Sequence, residues 1–270
     1  MIVTKASASD KDQVLEFCQN TFSWGDYIAD VWDSWIDEGD LLVIHKNSSP
    51  IAICHASTNK EGKQTWIEGI RVNQLFRRKG YASILIKEAE NIAKKKNCTT
   101  AFMLIASSNV KSLALARKLD YEHYETWNFY SFSPKKIGQK IKIKFANYEK
   151  KLPSILFSSN FFFVNSWRWL PLDDFTISSL CKEKRIIYFG NDNITEGLAI
   201  LTVSEHFGET MLITIISGSI NGLKEILSYI QNYGYQEKYK RLQILTKLKH
   251  LPGNENFENR ITFSLMKKKI

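Results

Sequence analysis

The chain has 270 residues, with 37 Lys+Arg against 28 Asp+Glu and a formal net charge of +9. Aromatic residues make up 13% and Gly and Pro number only 13 and 5, so apolar surface is ample to offset chain entropy and a disordered or low-complexity chain is excluded. The apolar runs are too short for a bilayer-spanning helix, and the stretch Met1–Gln13 lacks the apolar segment of a secretory signal.

The charge is unevenly placed. Residues 1–132 hold 16 basic and 16 acidic side chains, whereas residues 133–270 hold 21 and 12, which favours two domains. Cys18, Cys54, Cys98 and Cys181 form no CxxC pair and no Cys/His metal spacing, so no metal site is expected and they read as reduced thiols of a cytoplasmic protein.

In chain order, Ile2–Lys5 reads as a strand and Ser7 or Ser9 as the cap of a helix carrying Val14, Leu15, Phe17 and Cys18. A second helix runs through Tyr27, Ile28, Val31, Trp32, Trp35 and Ile36 and closes near Gly39. Leu41–His45 and Ile51–Ser57 read as paired strands, with a further strand at Gln64–Val72. Tyr81, Ala82, Leu85, Ile86, Ala89, Ile92 and Ala93 recur at helical spacing. Ala101–Ile105 is continuously apolar, as a strand buried on both faces is. Asn109–Lys118 reads as a short helix and Tyr121–Phe132 as a strand, giving a mixed α/β sheet with a parallel pair. Residues 134–153 are Lys-rich and bounded by Pro134 and Pro153, which suggests a linker between a domain at 1–133 and another at 154–270. Beyond it the order repeats, with strands at Ser166–Leu170, Arg185–Phe189, Glu196–Val203, Glu209–Ser217, Arg241–Lys247 and Arg260–Met266, and helices at Thr176–Lys182 and Leu223–Asn232.

The chemistry-bearing stretch runs from Trp66 to Ala82. A buried strand ending in Ile70-Arg71-Val72 enters a basic loop, Arg77-Arg78-Lys79-Gly80, and then a helix N-terminus. Gly80 permits positive φ. First-turn amides, the helix dipole and successive loop N–H groups favour an anion there. The residues therefore suggest a phosphate-bearing ligand, although a basic turn before a surface helix is also a common structural feature.

This segment resembles the acyl-CoA motif of the GNAT superfamily of N-acetyltransferases, (Gln/Arg)-x-x-Gly-x-(Gly/Ala), whose positions Arg77, Gly80 and Ala82 fill. Asn109 and Lys118-Leu119-Asp120-Tyr121 are similar to the family's downstream Asn and Lys-Leu-Gly-Phe. The resemblance covers residues 2–132 and implies the GNAT acyltransferase fold with acetyl-CoA as acyl donor. It implies that Ile70, Arg71 and Val72 pair with pantetheine, that Arg77, Arg78, Lys79, Gly80, Tyr81, Ala82 and Ser83 surround the pyrophosphate, and that Asn109 contacts the cofactor. It further implies that the Ile70 N–H serves as the oxyanion donor. Glu68 stands where several members carry a catalytic His or Glu; the alternative is a strand carboxylate paired with Arg71 or a Lys. His55 is a second candidate base or substrate contact, or a structural histidine. The family's thiolate-protonating Tyr is Ala116 here and its Gly is Asp120, so the general acid has no owner; Tyr81, Tyr121 and Tyr124 are guesses.

From Asp12 to His45 there is no Lys or Arg, but there are eight acidic residues together with Trp24, Tyr27, Trp32 and Trp35. That composition suits a cationic amine, or equally a charged helix face over a buried aromatic stripe. Trp24, Asp26 and Tyr27 are the expected substrate residues, and Asp26 can also serve as an N-cap. The second half carries Ser217-Gly218-Ser219-Ile220-Asn221-Gly222 where a phosphate loop would fall, as in a degenerate repeat without its own CoA. The reading is an N-acetyltransferase for a small-molecule amine or amino acid. Alternatives are a peptide or protein N-acetyltransferase, or a non-catalytic acyl-CoA-binding sensor or scaffold. A homodimer is compatible with the sequence. Nucleic-acid and membrane partners are not expected, since 29 Lys against 8 Arg come with no recognition motif.

Overall fold

The computed structural model describes residues 2–22, 25–138, 142–149, 152–153, 156, 161–191, 194–204, 207–252 and 258–270, with 258–260 as backbone only. The chain forms two compact units: Met1–Tyr124 with Ser264–Ile270, and Glu125–Phe263.

The first unit contains strand β1 (Val3–Lys5), helices α1 (Lys11–Cys18) and α2 (Ile28–Glu38), strands β2 (Leu41–Lys46), β3 (Ser49–Asn59) and β4 (Gln64–Val72), helix α3 (Tyr81–Lys95), strand β5 (Thr100–Ala106) and helix α4 (Val110–Lys118). Strand β6 (Glu122–Phe132) leads into the second unit. There β7 (Lys144–Phe145), β8 (Phe162–Asn165), β9 (Arg168–Pro171), α5 (Asp174–Lys182), β10 (Ile186–Gly190), β11 (Thr195–Val203), β12 (Thr210–Gly218), α6 (Ile220–Gln236) and β13 (Arg241–Thr246) follow, and the chain ends with β14 (Glu258–Lys269).

In the first unit the sheet neighbours run β1-β2-β3-β4-β5 and then the end of β14. Side chains alternate between faces along each strand. Leu41, Val43 and Ile53 point to one face and pack with Val14 and Cys18 of α1 and Ile28, Val31, Trp32 and Trp35 of α2. Leu42, Ile44, Ala52 and Cys54 point to the other and pack with Tyr81, Leu85, Ile86 and Ala89 of α3 and Leu113 and Ala116 of α4. Both faces are covered, which is why these strands read as continuous apolar runs. Gly39, in the left-handed region at φ 90°, ends α2.

The sequence reading placed residues 260–266 in the second domain, but Ser264–Ile270 belong to the first unit. Met266 is fully buried in the α3 cluster. The Ile270 N–H donates to the Thr99 carbonyl at 3.0 Å. The Lys268 ammonium donates to both oxygens of buried Glu90 (3.0 and 2.9 Å), and Glu90 also accepts the Tyr121 hydroxyl at 3.0 Å.

In the second unit the order is β6-β13-β12-β11-β10-β7, with β8 and β9 as a separate hairpin. The strand read at Ser166–Leu170 is thus a hairpin instead, because Ser166 and Trp167 both take positive φ and turn the chain. Leu223, Ile226, Leu227 and Ile230 of α6 cover one face of the sheet; Ile177, Leu180 and Cys181 of α5 cover the other. All four cysteines are free and buried. No helix among the described residues is long and apolar enough to cross a membrane.

Candidate active site

The site is built on an irregularity in β4. Ile53 of β3 pairs with Arg71 and His55 with Glu68, so Gly69 and Ile70 together oppose Cys54 alone. This is a β-bulge. Without it His55 would face Gly69 and Glu68 would face Ala56. Gly69 is required twice over. Its φ is +62°, and a Cβ there would fall inside the ring of Trp35.

The other edge of β4 diverges from β5. Their parallel pairing covers Gln64↔Thr100, Thr65↔Ala101 and Trp66↔Phe102, where the Trp66 and Phe102 rings stack at 5.3 Å. Beyond Trp66 the two strands run on, β4 to Val72 and β5 to Ala106, without further register pairs. The backbone of Ile70–Val72 therefore lies where β4 has parted from β5, a geometry that suits an extended chain added as a strand.

After Val72 the chain makes a 3₁₀ turn at Gln74–Phe76, capped by Asn73, whose side chain accepts from the Leu75 N–H at 3.1 Å. Arg78 (φ 64°) and Gly80 (φ 85°) are both left-handed, and Gly80 starts α3 with no side-chain cap. An added Cβ on Gly80 would meet nothing within 4 Å, so the space before the helix is open. Left-handed residues ahead of uncapped first-turn amides form an anion cradle. Arg77 and Lys79 reach back to the Val72 and Leu75 carbonyls (3.1 and 3.4 Å), while Arg78 is exposed beside the cradle. Tyr81 is buried, and Ala82 and Ser83 are half-buried in the first turn of α3. Asn109 caps α4 at the end of the β5 connection, accepting from the Ser112 N–H at 3.1 Å.

Beside the bulge, His55 is wholly buried. Its Nδ1 lies 2.9 Å from Glu68 Oε1, and its Nε2 lies 3.6 Å from Glu38 Oε2. The ring stacks on Trp35 at 4.5 Å with planes 10° apart. The carboxylates keep partial access to solvent, Glu68 at 19% and Glu38 at 31%. Glu68 thus pairs with His55, while Arg71 pairs with Asp26. Trp35 and Glu38 were missed as site residues; their three-residue spacing on α2 was the available signal, since it places both on one helix face.

Arg71 instead forms a two-point ion pair with Asp26, Nε to Oδ2 at 2.6 Å and Nη2 to Oδ1 at 2.9 Å. Its guanidinium lies over the rings of Phe22 and Tyr27 (5.2 and 5.1 Å) and donates to the Ile70 carbonyl at 3.1 Å. Burial opposes the Arg71 charge, but the Asp26 bonds outweigh it and raise its pKa. Asp26, expected as a pocket carboxylate, is therefore engaged in fastening the segment before α2 to β4; it also accepts from the Ile28 N–H at 3.2 Å, while the N-cap position of α2 is Tyr27. Tyr27 is pushed up by burial and stays neutral. Trp24 lies outside the described residues. Trp32 and Trp35 are core residues, as the buried-stripe alternative had it.

Ala116 lies on the buried face of α4. Tyr121 donates its hydroxyl to Glu90 inside the core, and burial followed by the Glu90 charge raises its pKa, so it is not a proton donor to the site. Tyr124 lies beside Phe102 and under Lys267. Asp120 takes φ 66°, keeping the left-handed turn for which the family uses Gly.

Residues 12–121 match the family model of the Acetyltransferase (GNAT) family. No curated protein matches the chain significantly. Among solved structures, a presumed acetyltransferase of Thermoplasma acidophilum is 16% identical, with TM-score 0.66 over 100% of both chains. A GCN5-related N-acetyltransferase of Sphaerobacter thermophilus is 13% identical, with TM-score 0.65 over 99% of this chain and 95% of that one. A tandem GNAT protein of the clavulanic acid biosynthesis pathway is 10% identical, with TM-score 0.58 over 99% and 98%. At such identities these likenesses establish the fold, and they do so over the whole length. The cradle and the bulged strand both lie within residues 12–121, the stretch of the first unit that matches the acetyltransferase (GNAT) family.

Proposed function

We propose that the first unit is an acetyl-CoA-dependent N-acetyltransferase that acetylates the primary amine of a small metabolite or amino acid by direct attack. One observation carries this reading. The parted edge of β4 at Ile70–Val72, the uncapped cradle at Arg78–Ser83 and the carboxylate of Glu68 lie on one continuous strand–loop–helix. The edge suits a pantetheine arm and the cradle a pyrophosphate. When bound, acetyl-CoA supplies an activated thioester.

The new N–C bond replaces the thioester C–S bond, with the CoA thiolate as leaving group, and the chain's own groups take two tasks. Glu68 accepts the proton that the acceptor ammonium must lose. The Ile70 N–H, at the bulge, donates to the carbonyl oxygen as it gains charge, a contribution of about 3 kcal/mol for one such donor. Glu38 and Glu68 give the acceptor side a negative character that favours a cationic amine, and Tyr27 adds an aromatic wall. With Asp26 engaged by Arg71, recognition of the amine falls to those groups.

Calorimetry with acetyl-CoA tests donor binding. Absence of binding at about 1 mM, the upper end of ordinary KM values, would end the reading. A panel of amines, amino acids and peptides assayed for CoA release tests the acceptor; turnover of peptides alone would move the acceptor class to protein N-termini or side chains. Glu68→Gln should lower kcat/KM by about 10²–10⁴ while leaving acetyl-CoA affinity unchanged. Tight acetyl-CoA binding with no turnover on any amine would favour a sensor instead, a reading to which buried Ala116 lends weight.

A further inference from the structure

The reaction as described leaves His55 without a task, yet its ring lies between two carboxylates of the candidate site. We propose, resting on the reading of Glu68 as base, that His55 is the positioning residue of that base and that α2 holds it in place. An imidazole with Nδ1 at 2.9 Å from Glu68 Oε1 donates that proton and fixes one carboxylate oxygen. Glu68 retains the partial exposure through which an acceptor reaches it.

The imidazole is itself confined. Trp35 covers one face in a parallel stack, and Trp35 sits where it does because Gly69 has no side chain. Glu38, one helical turn beyond Trp35, is the carboxylate facing Nε2. The bulge that displays the Ile70 amide also brings Glu68 opposite His55. Oxyanion donor and base are therefore set by the same one-residue offset, and a shift of about 1 Å in such a group costs on the order of 10²-fold in rate. The titratable groups around the pair are Glu38 of α2, Tyr27 ahead of it and Cys54 of β3. Burial pushes up both Tyr27 and Cys54, so neither carries charge at neutral pH.

The test compares His55→Leu, which removes the donor, with His55→Asn, whose amide nitrogen takes the place of Nδ1 but does not titrate. His55→Leu should lower kcat by about 10–100-fold, with the KM for acetyl-CoA unchanged. His55→Asn should recover most of that loss and keep the acid limb of the kcat/KM profile in place, because the limb belongs to Glu68. Combining His55→Leu with Glu68→Gln should be no worse than Glu68→Gln alone. Three results would overturn the proposal: wild-type kcat in His55→Leu, equal defects in the Leu and Asn variants with acetyl-CoA affinity intact, or loss of the acid limb in His55→Asn, which would make His55 the base. A readout independent of turnover and of variant folding is the Nδ1 proton of His55 by NMR in ¹⁵N-histidine-labelled protein. It should be strongly downfield in the wild type and displaced in Glu68→Gln. Its absence refutes the pairing whatever the acceptor, whereas failure of acetyl-CoA binding refutes the functional reading alone.

Discussion

The two strand–loop–helix passages, β4 to α3 in the first unit and β12 to α6 in the second, share an order of elements and differ in nearly everything that makes a binding site. β4 meets β5 over three residue pairs and then diverges; β12 stays paired with β13 from Thr210↔Arg241 to Ile215↔Thr246. The Thr246 hydroxyl closes that end further, donating to the Ile215 carbonyl at 2.9 Å. Residues 73–80 separate β4 from α3, whereas α6 begins two residues after β12. Gly80 borders open space, but a Cβ on Gly222 would collide with the Glu196 carbonyl. α3 starts uncapped; Ser219 caps α6 by accepting from the Gly222 N–H at 3.0 Å. An anion needs unsatisfied amides and room to approach them. The first passage offers both, and the second has used its amides to pack a helix against a strand. A bulge alone does not make the difference, since β11 and β12 also shift register, between Leu198 and Ala199.

The largest effect should come from the contact that secures the bulged strand. Asp26→Asn leaves the Arg71 guanidinium almost wholly buried with its charge unpaired, and breaking such a pair typically costs about 3–5 kcal/mol. Hydrogen exchange should locate the loosening in residues 25–124, and adding Arg71→Met should recover part of it. Wild-type melting of Asp26→Asn would show that the contact does not hold the strand. Gly222→Ala should come next, destabilising the second unit by about 1–3 kcal/mol through overpacking. Gly80→Ala meets open space, so it should incur only the positive-φ strain, about 1–2 kcal/mol, but with weaker acetyl-CoA binding. If Gly222→Ala leaves the second unit's exchange unchanged, the close approach at α6 is not the reason that passage is shut.

Arg78→Glu should weaken acetyl-CoA binding by about tenfold, or about 1.4 kcal/mol, more at low salt than at high. Lys224→Glu on α6 should leave that affinity alone; an equal loss would place the anion site elsewhere. The smallest effect contrasts the acids ahead of the helices on the α1 and α5 faces. Asp173 only caps α5, accepting from Thr176 N–H. Asp10 accepts from the Ser7 amide and contacts His45 at 2.6 Å. Burial pushes the Asp10 carboxyl up, but the Ser7 bonds and His45 outweigh it and hold it below its usual range. A depressed folded-state pKa adds stability that is present above the unfolded value, about 3.9, and lost as pH falls through the folded one. The Tm gap between wild type and Asp10→Asn, under 1 kcal/mol in stability, should therefore close below about pH 4. A gap that persists there would assign it to packing.

Much of this was legible in the residues. Helical spacing at Tyr81–Ala93 and the cap at Gly39 depend on neighbours a few positions away, and they appear in the structure as read. The loop-to-helix junction at Arg77–Tyr81 was legible because glycine, basic residues and a helix start are adjacent in the chain. Gly69 was passed over, since a single glycine within an apolar strand does not reveal which partner residue is skipped. Asp26 was read as a substrate residue or an N-cap, because its partner Arg71 lies 45 positions away and gave no local signal. Glu68 and His55 were each singled out, yet their pairing follows from register, and one residue of bulge decides it.

By itself, then, the sequence determined most of the elements, the basic loop-to-helix junction and the family resemblance, all of them set by short-range periodicity and steric demands. The tertiary structure decided which charges meet and which strand closes the first sheet. Lys268 finds Glu90 across 178 positions, and the last strand joins the unit at the opposite end of the chain from its neighbours in sequence. An alternating strand can fill any open edge of matching polarity, so its pattern predicts a strand but not the sheet that takes it.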